Sequence, residues 1–96
     1  MAKRKNPPKG PDKTTKKTPA RFTVKQGQYL AFIYAYTKIN GRAPAEADMR
    51  KFFAVTPPSV HSMVLELEKR RLISRQPGQA RSIRLLVEPH ELPILR

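Results

Sequence analysis

A mainly α-helical domain closed by a small β-hairpin is the architecture this chain predicts, on three observations. Apolar residues recur at helical spacing in three successive segments between Thr23 and Lys69, as the buried stripes of amphipathic helices require. Helix stop and start signals separate those segments, and the last connection, Ala54-Val55-Thr56, is only three residues long. After Arg71 the spacing changes to alternation, with Pro77-Gly78-Gln79-Ala80 between two short runs, the pattern of a β-hairpin. Three helices followed by a hairpin make a winged helix-turn-helix, with an expected span of residues 22–87 and a basic tail in front of it.

The tail, residues 1–21, carries Lys3, Arg4, Lys5, Lys9, Lys13, Lys16, Lys17 and Arg21 against the single Asp12, with four prolines and almost nothing apolar. Such a segment buries too little surface to offset its ordering entropy, so disorder is expected. Lys3, Arg4, Lys5, Lys16 and Lys17 would then make nonspecific contacts to a polyanion. Thr23 and Gln26 form a capping-box pattern at the start of the first helix, which runs to about Ile39. Tyr29, Phe32, Ile33 and Tyr36 share its stripe, with Leu30 and Thr37 at the margin, so the aromatics are read as core rather than as a base-stacking platform. Asn40-Gly41 stops this helix, because glycine takes the left-handed conformation that follows a C-cap.

The second helix is expected from Ala45 to about Phe53, with Ala47, Met49, Phe52 and Phe53 on its apolar side. Glu46 and Asp48 stand in its first turn, where the helix dipole favours anions. Thr56 caps the third helix with Pro57 at its first position. There Val60, Met63, Val64 and Leu67 fall at i, i+3, i+4 and i+7, facing the core. The opposite direction holds Pro58, Ser62, Leu65 and Lys69, flanked by Ser59, His61 and Glu66: small polar groups at the amino end and cations at the carboxyl end. Strands are expected over Leu72–Gln76 and Ser82–Val87, placing Arg75, Gln79, Arg81 and Arg84 on the wing. Residues 88–96, apolar and proline-interrupted, either pack back on the domain or meet a second copy.

Twenty Lys and Arg against seven Asp and Glu give a net charge of +13, which calls for an acidic partner, nucleic acid ahead of an anionic membrane. A membrane partner is disfavoured because the basic tail lacks interleaved Trp, Phe or Leu. With no cysteine and only His61 and His90, neither a cofactor nor a metal is expected. Ser59, His61, Ser62 and Glu66 lie close together, but on one convex helix they have neither a pocket nor an oxyanion site, so no catalytic residue is assigned and no enzyme is expected. No apolar run is long enough for a span and no secretory signal is seen, so the expected location is cytoplasmic and nucleoid-associated, or nuclear in a eukaryote.

Residues 22–87 resemble the DNA-binding domain of the LexA repressor family. The resemblance rests on Phe22-Thr23 with Gln26, on Asn40-Gly41-Arg42-Ala43-Pro44, and on Val55-Thr56-Pro57-Pro58-Ser59-Val60-His61. It continues through Leu67-Glu68-Lys69-Arg70-Arg71-Leu72-Ile73 and Ala80-Arg81-Ser82-Ile83-Arg84-Leu85-Leu86. It implies a sequence-specific double-stranded DNA-binding protein, a small bacterial or phage transcriptional regulator of repressor type, which could pair weakly as a homodimer on DNA. Base reading would fall to Thr56, Ser59, His61 and Ser62. Backbone contact would fall to residues such as Lys69, Arg75 and Arg81, to which the basic cluster and the wing pattern add Arg70, Gln79 and Arg84. The family's full-length repressor also has a self-cleaving domain; this sequence ends at Arg96, so self-cleavage is not implied. Arg71 stands where the turn after the third helix usually carries Gly. The alternative reading is a basic winged-helix module that binds protein partners or structured RNA.

Overall fold

The computed structural model describes residues 21–96; the expectations of disorder and nonspecific contact for the basic tail fall almost wholly on residues 1–20, outside that range. The element order is α1 (Val24–Asn40), α2 (Glu46–Phe53), α3 (Pro57–Lys69), β1 (Ile73–Ser74), β2 (Arg84–Leu85) and a 3₁₀ turn, Pro89–Glu91. The two strands pair antiparallel, Ile73 opposite Leu85 and Ser74 opposite Arg84. This is the expected mainly α fold with a small hairpin.

Each helix boundary has a local cause. Thr23 accepts from the Gln26 amide while the Gln26 side chain accepts from the Thr23 amide, a complete capping box. Gly41 ends α1 at φ 72°, its amide on the Thr37 carbonyl. Ala45 precedes α2 as its cap rather than opening it, and the Asp48 carboxylate accepts from the Ala45 amide at 2.8 Å. Thr56 caps α3 with Pro57 in the first turn. After α3, Arg71 takes φ 62°, its amide bonds the Glu68 carbonyl, and the Leu72 amide reaches the Leu67 carbonyl at 3.0 Å. That pair of bonds is a Schellman motif, which requires a left-handed residue at position 71. The sequence supplies arginine where glycine would fit without strain.

Tyr29, Leu30, Ile33, Met49, Val60, Val64, Leu67, Leu72 and Ile73 are buried almost completely and join Ile83 and Val87 in one core. Burying a side chain of this size stabilises by about 1.5–3 kcal/mol. Tyr29 stacks on Phe53 with ring centroids 4.1 Å apart, and Phe32 lies 4.6 Å from Phe52, so aromatic contacts lock α1 against α2. Three expectations change here. Ala47 and Phe52 are exposed rather than buried, and Tyr36 is half-buried against the core with Thr37 exposed, whereas Leu30 and Ala31 are fully inside it. The run Tyr29–Ile33 is buried on all sides because the carboxyl-terminal segment covers the face of α1 turned away from α2 and α3.

That covering is specific. The Gln28 side-chain amide donates to the Ile94 carbonyl at 2.9 Å, and the Arg96 amide donates back to Gln28 at 2.8 Å. A Cβ at Gly27 would come within 3.1 Å of both the Phe22 ring and Pro93, so glycine is what lets the segment lie so close. Residues 88–96 lie against the domain through these contacts.

The strands are two residues each, shorter than the expected runs of five and six. Extended pairing stops because the Ser82 hydroxyl takes over the backbone of the loop, accepting from the Gln76 amide and lying within hydrogen-bond distance of the Gln76 and Gln79 carbonyls. Arg81 beside it sits at φ 56°, which no strand tolerates.

Candidate nucleic-acid interface

The connection between α2 and α3 is tight because Ala54 adopts φ 55° and the Val55 amide caps the Arg50 carbonyl. With α1 behind it, α3 seats Val60, Val64 and Leu67 in the core. The other face is thereby left to solvent. Pro58, Ser59, His61, Ser62, Leu65 and Lys69 are all exposed along it and form a convex ridge.

The four residues expected to read bases are held differently. The Thr56 hydroxyl accepts from the Ser59 amide and donates to the Ser59 hydroxyl at 2.9 Å. Thr56 is therefore occupied as a cap, while Ser59 keeps its own proton to donate outward. Nδ1 of His61 lies 3.2 Å and 3.3 Å from the two carboxylate oxygens of Glu46. Ser62 takes no side-chain partner among the described residues. Ser59 and Ser62 share a shallow depression with Lys25, Pro58 and Glu66. Lys25, an α1 residue that sequence reasoning passed over, is thus a cation beside the serines, placed there by the packing of α1 against α3.

The residues expected on the DNA backbone divide into two groups. Arg70 Nε donates to Glu66 at 3.0 Å, one turn back on α3, and Arg75 Nε donates to Glu68 at 3.0 Å with the arginine side chain only 19% exposed. Arg81 is committed further: its guanidinium reaches the Tyr36 hydroxyl at 3.1 Å, the Ala43 carbonyl at 3.2 Å and Asp48 at 3.1 Å. It fastens the wing to α1 and α2. Lys69, Gln79 and Arg84 have exposed side chains with no such partner among the described residues. Arg84 stands at the edge of a groove between α1 and the wing lined by Ile33, Tyr34 and Leu85.

Electrostatics follow these bonds. The Asp48 carboxyl is held below the usual carboxylate range, first by the Ala45 amide, then by the Arg81 guanidinium and the Tyr36 hydroxyl. Arg81 is in turn pushed above its ordinary value, chiefly by the bond to Tyr36. Glu91 is lowered by the Glu88 amide and by Arg21, 3.1 Å away. Five of the six acids in residues 21–96 are thus paired with a basic side chain. No helix of the described residues is long and apolar enough to cross a membrane.

The chain is 40% identical over 73 residues to the LexA repressor of Thermosipho africanus, an alignment covering 76% of this chain and 37% of that protein. The LexA repressor of Thermosipho melanesiensis is 41% identical over 66 residues, 69% of this chain and 33% of the relative. Over about 70% of its length this chain is similar to LexA repressors. A third relative, the LexA repressor of Thermotoga neapolitana, is 32% identical over 64 residues, 67% of this chain and 32% of its own. The chain therefore spans about a third of the length of the curated LexA repressors it matches. No protein-family model matches it. The LexA resemblance expected from the sequence is borne out. The Schellman turn accommodates Arg71, where glycine was expected, at the cost of a single left-handed residue.

Proposed function

We propose that this chain is a sequence-specific double-stranded DNA-binding protein that acts as a transcriptional repressor. The observation that carries the reading is the exposed polar face of α3, backed by a complete three-helix core and flanked by a hairpin, in a chain of net charge +13. Similarity to proteins named LexA repressor supports it. Residues 22–87 form the DNA-binding unit, and residues 88–96 brace it from behind. Ser59, His61 and Ser62 present donors and acceptors to base edges while Thr56 holds the amino end of the helix in shape. Ser and Thr discriminate modestly among bases, so DNA shape and wing contacts supply part of the specificity.

Affinity comes from neutralising phosphates with counterion release. Lys69 and Arg84, together with Gln79 as a neutral donor, are the principal backbone contacts. Arg70, Arg75 and Arg81 contribute less because carboxylates already hold them. Lys3, Arg4, Lys5, Lys16 and Lys17 add nonspecific attraction. Two copies pair weakly on a palindromic site. Repression by occupancy of DNA needs no self-cleavage step.

The test is selection of bound duplexes from a random pool, followed by competition with a structured RNA. An enriched duplex motif that RNA displaces poorly is expected. An unenriched pool, or RNA competing as well as the selected duplex, overturns the reading.

A further inference from the structure

His61 and Glu46 make the sole side-chain hydrogen-bonded link between α2 and α3 among the described residues. Their partial exposure, 53% for His61 and 40% for Glu46, makes the pair a weak brace for the fold. Its geometry has a sharper consequence for what His61 can recognise.

A carboxylate only accepts hydrogen bonds, so the imidazole nitrogen facing it carries the proton. Both Glu46 oxygens face Nδ1, at 3.3 Å and 3.2 Å. In the neutral ring Nε2 is then the acceptor, and it has no partner among the described residues. An unheld histidine presents either tautomer and so reads donors and acceptors alike. Held by Glu46, it presents one polarity. In the major groove the donors are the exocyclic amino groups of adenine and cytosine, whereas guanine O6 and N7 and thymine O4 are acceptors. An Nε2 lone pair attracts the first set and repels the second.

We propose that Glu46 is a positioning residue for base recognition: it holds His61 as the Nδ1–H tautomer, so that Nε2 restricts one position of the bound site to adenine or cytosine. This rests on the DNA-binding reading above. The glutamate does so from the first turn of α2, without itself facing a base.

The experiment is duplex selection with the full chain at mildly alkaline pH, for wild type, His61→Ala, Glu46→Gln and Glu46→Ala. Melting curves confirm that each variant folds. Wild type is expected to show a position confined to adenine or cytosine, and His61→Ala is expected to lose preference there. With Glu46→Gln the side-chain amide can donate a hydrogen bond to Nδ1, which leaves the ring proton on Nε2, and with Glu46→Ala both tautomers are free. Both variants are expected to admit guanine and thymine at that position alone, with affinity for the wild-type site falling about 3- to 10-fold. A brace without a role in reading would leave the base frequencies unchanged. If both Glu46 variants select the wild-type motif, or if His61→Ala keeps the restricted position, the proposal is wrong while DNA binding stands. If wild type enriches no duplex, the DNA-binding reading itself fails, and this inference with it.

Discussion

Helix α3 and the wing both look like DNA-contacting surfaces when their residues are counted, yet they hold their polar groups in different ways. On α3 the apolar stripe does most of the positioning, so Ser62 and Lys69 on the far side are left unpartnered among the described residues. The wing has two paired residues per strand, too little ladder to hold a hairpin in water by itself. Side chains replace the missing ladder: Ser82 ties the loop, Arg75 is tied to Glu68, and Arg81 ties the wing to Tyr36, Ala43 and Asp48. A cation that organises its own domain is less available to a phosphate. A count of cations therefore overstates how many are offered to DNA, and two of the four arginines held by carboxylates among the described residues, Arg75 and Arg81, lie in the wing.

The largest effect that could break this contrast is on stability. Replacing Arg81 with Met removes the wing's attachment to α1 and α2 and is expected to lower the melting temperature by several degrees, since small domains shift steeply per unit of lost stability. The salt dependence of DNA binding should hardly change. A steep loss of salt dependence with an unchanged melting temperature would place Arg81 on DNA instead.

The acid side of the same attachment is next in size. The folded-state pKa of Asp48 is depressed, so its contribution is fully present above the ordinary Asp value near 4 and is lost as pH falls through the lower folded value. Wild type should lose stability on acidification below about pH 4. Asp48→Asn should be less stable at neutral pH and show a flatter acid limb, measured by melting curves across pH. An equally steep limb in the variant would assign the acid sensitivity elsewhere, with Glu91 the first alternative. The smallest effect has the opposite sign. Arg71→Gly relieves a left-handed arginine and should stabilise by about 0.5–1 kcal/mol, net of the extra freedom glycine has when unfolded. Denaturant melts would register it, and a destabilised variant would mean that the Arg71 side chain makes a contact worth more than the strain.

The three helices were legible in the sequence because local chemistry settles them: Thr23 with Gln26, Gly41, and Thr56 with Pro57 each mark a boundary by bonds made within a few residues. The α3 stripe was equally legible, since spacing fixes which side is buried. The extent of the strands was not, because Ser82 reaches back six residues to Gln76 and Arg81 turns left-handed, and neither act shows in an alternating pattern. Nor were the partners of the cations. Glu46 and His61 are fifteen residues apart and Asp48 and Arg81 thirty-three, so pairing depended on how α2 packs. Arg75 and Arg81, grouped with Lys69 and Arg84 by sign alone, proved distinct once their neighbours were in place. Lys25 escaped notice for the same reason.

The contrast between offered and occupied cations is tested most directly by the slope of log affinity against log salt, compared between two variants of one chain. The double replacement Lys69→Ala with Arg84→Ala should lower the magnitude of that slope by about 2, roughly one per lost phosphate contact. Arg75→Ala should leave it within error of wild type. Equal losses of slope in the two variants, or a loss confined to Arg75→Ala, would contradict the account.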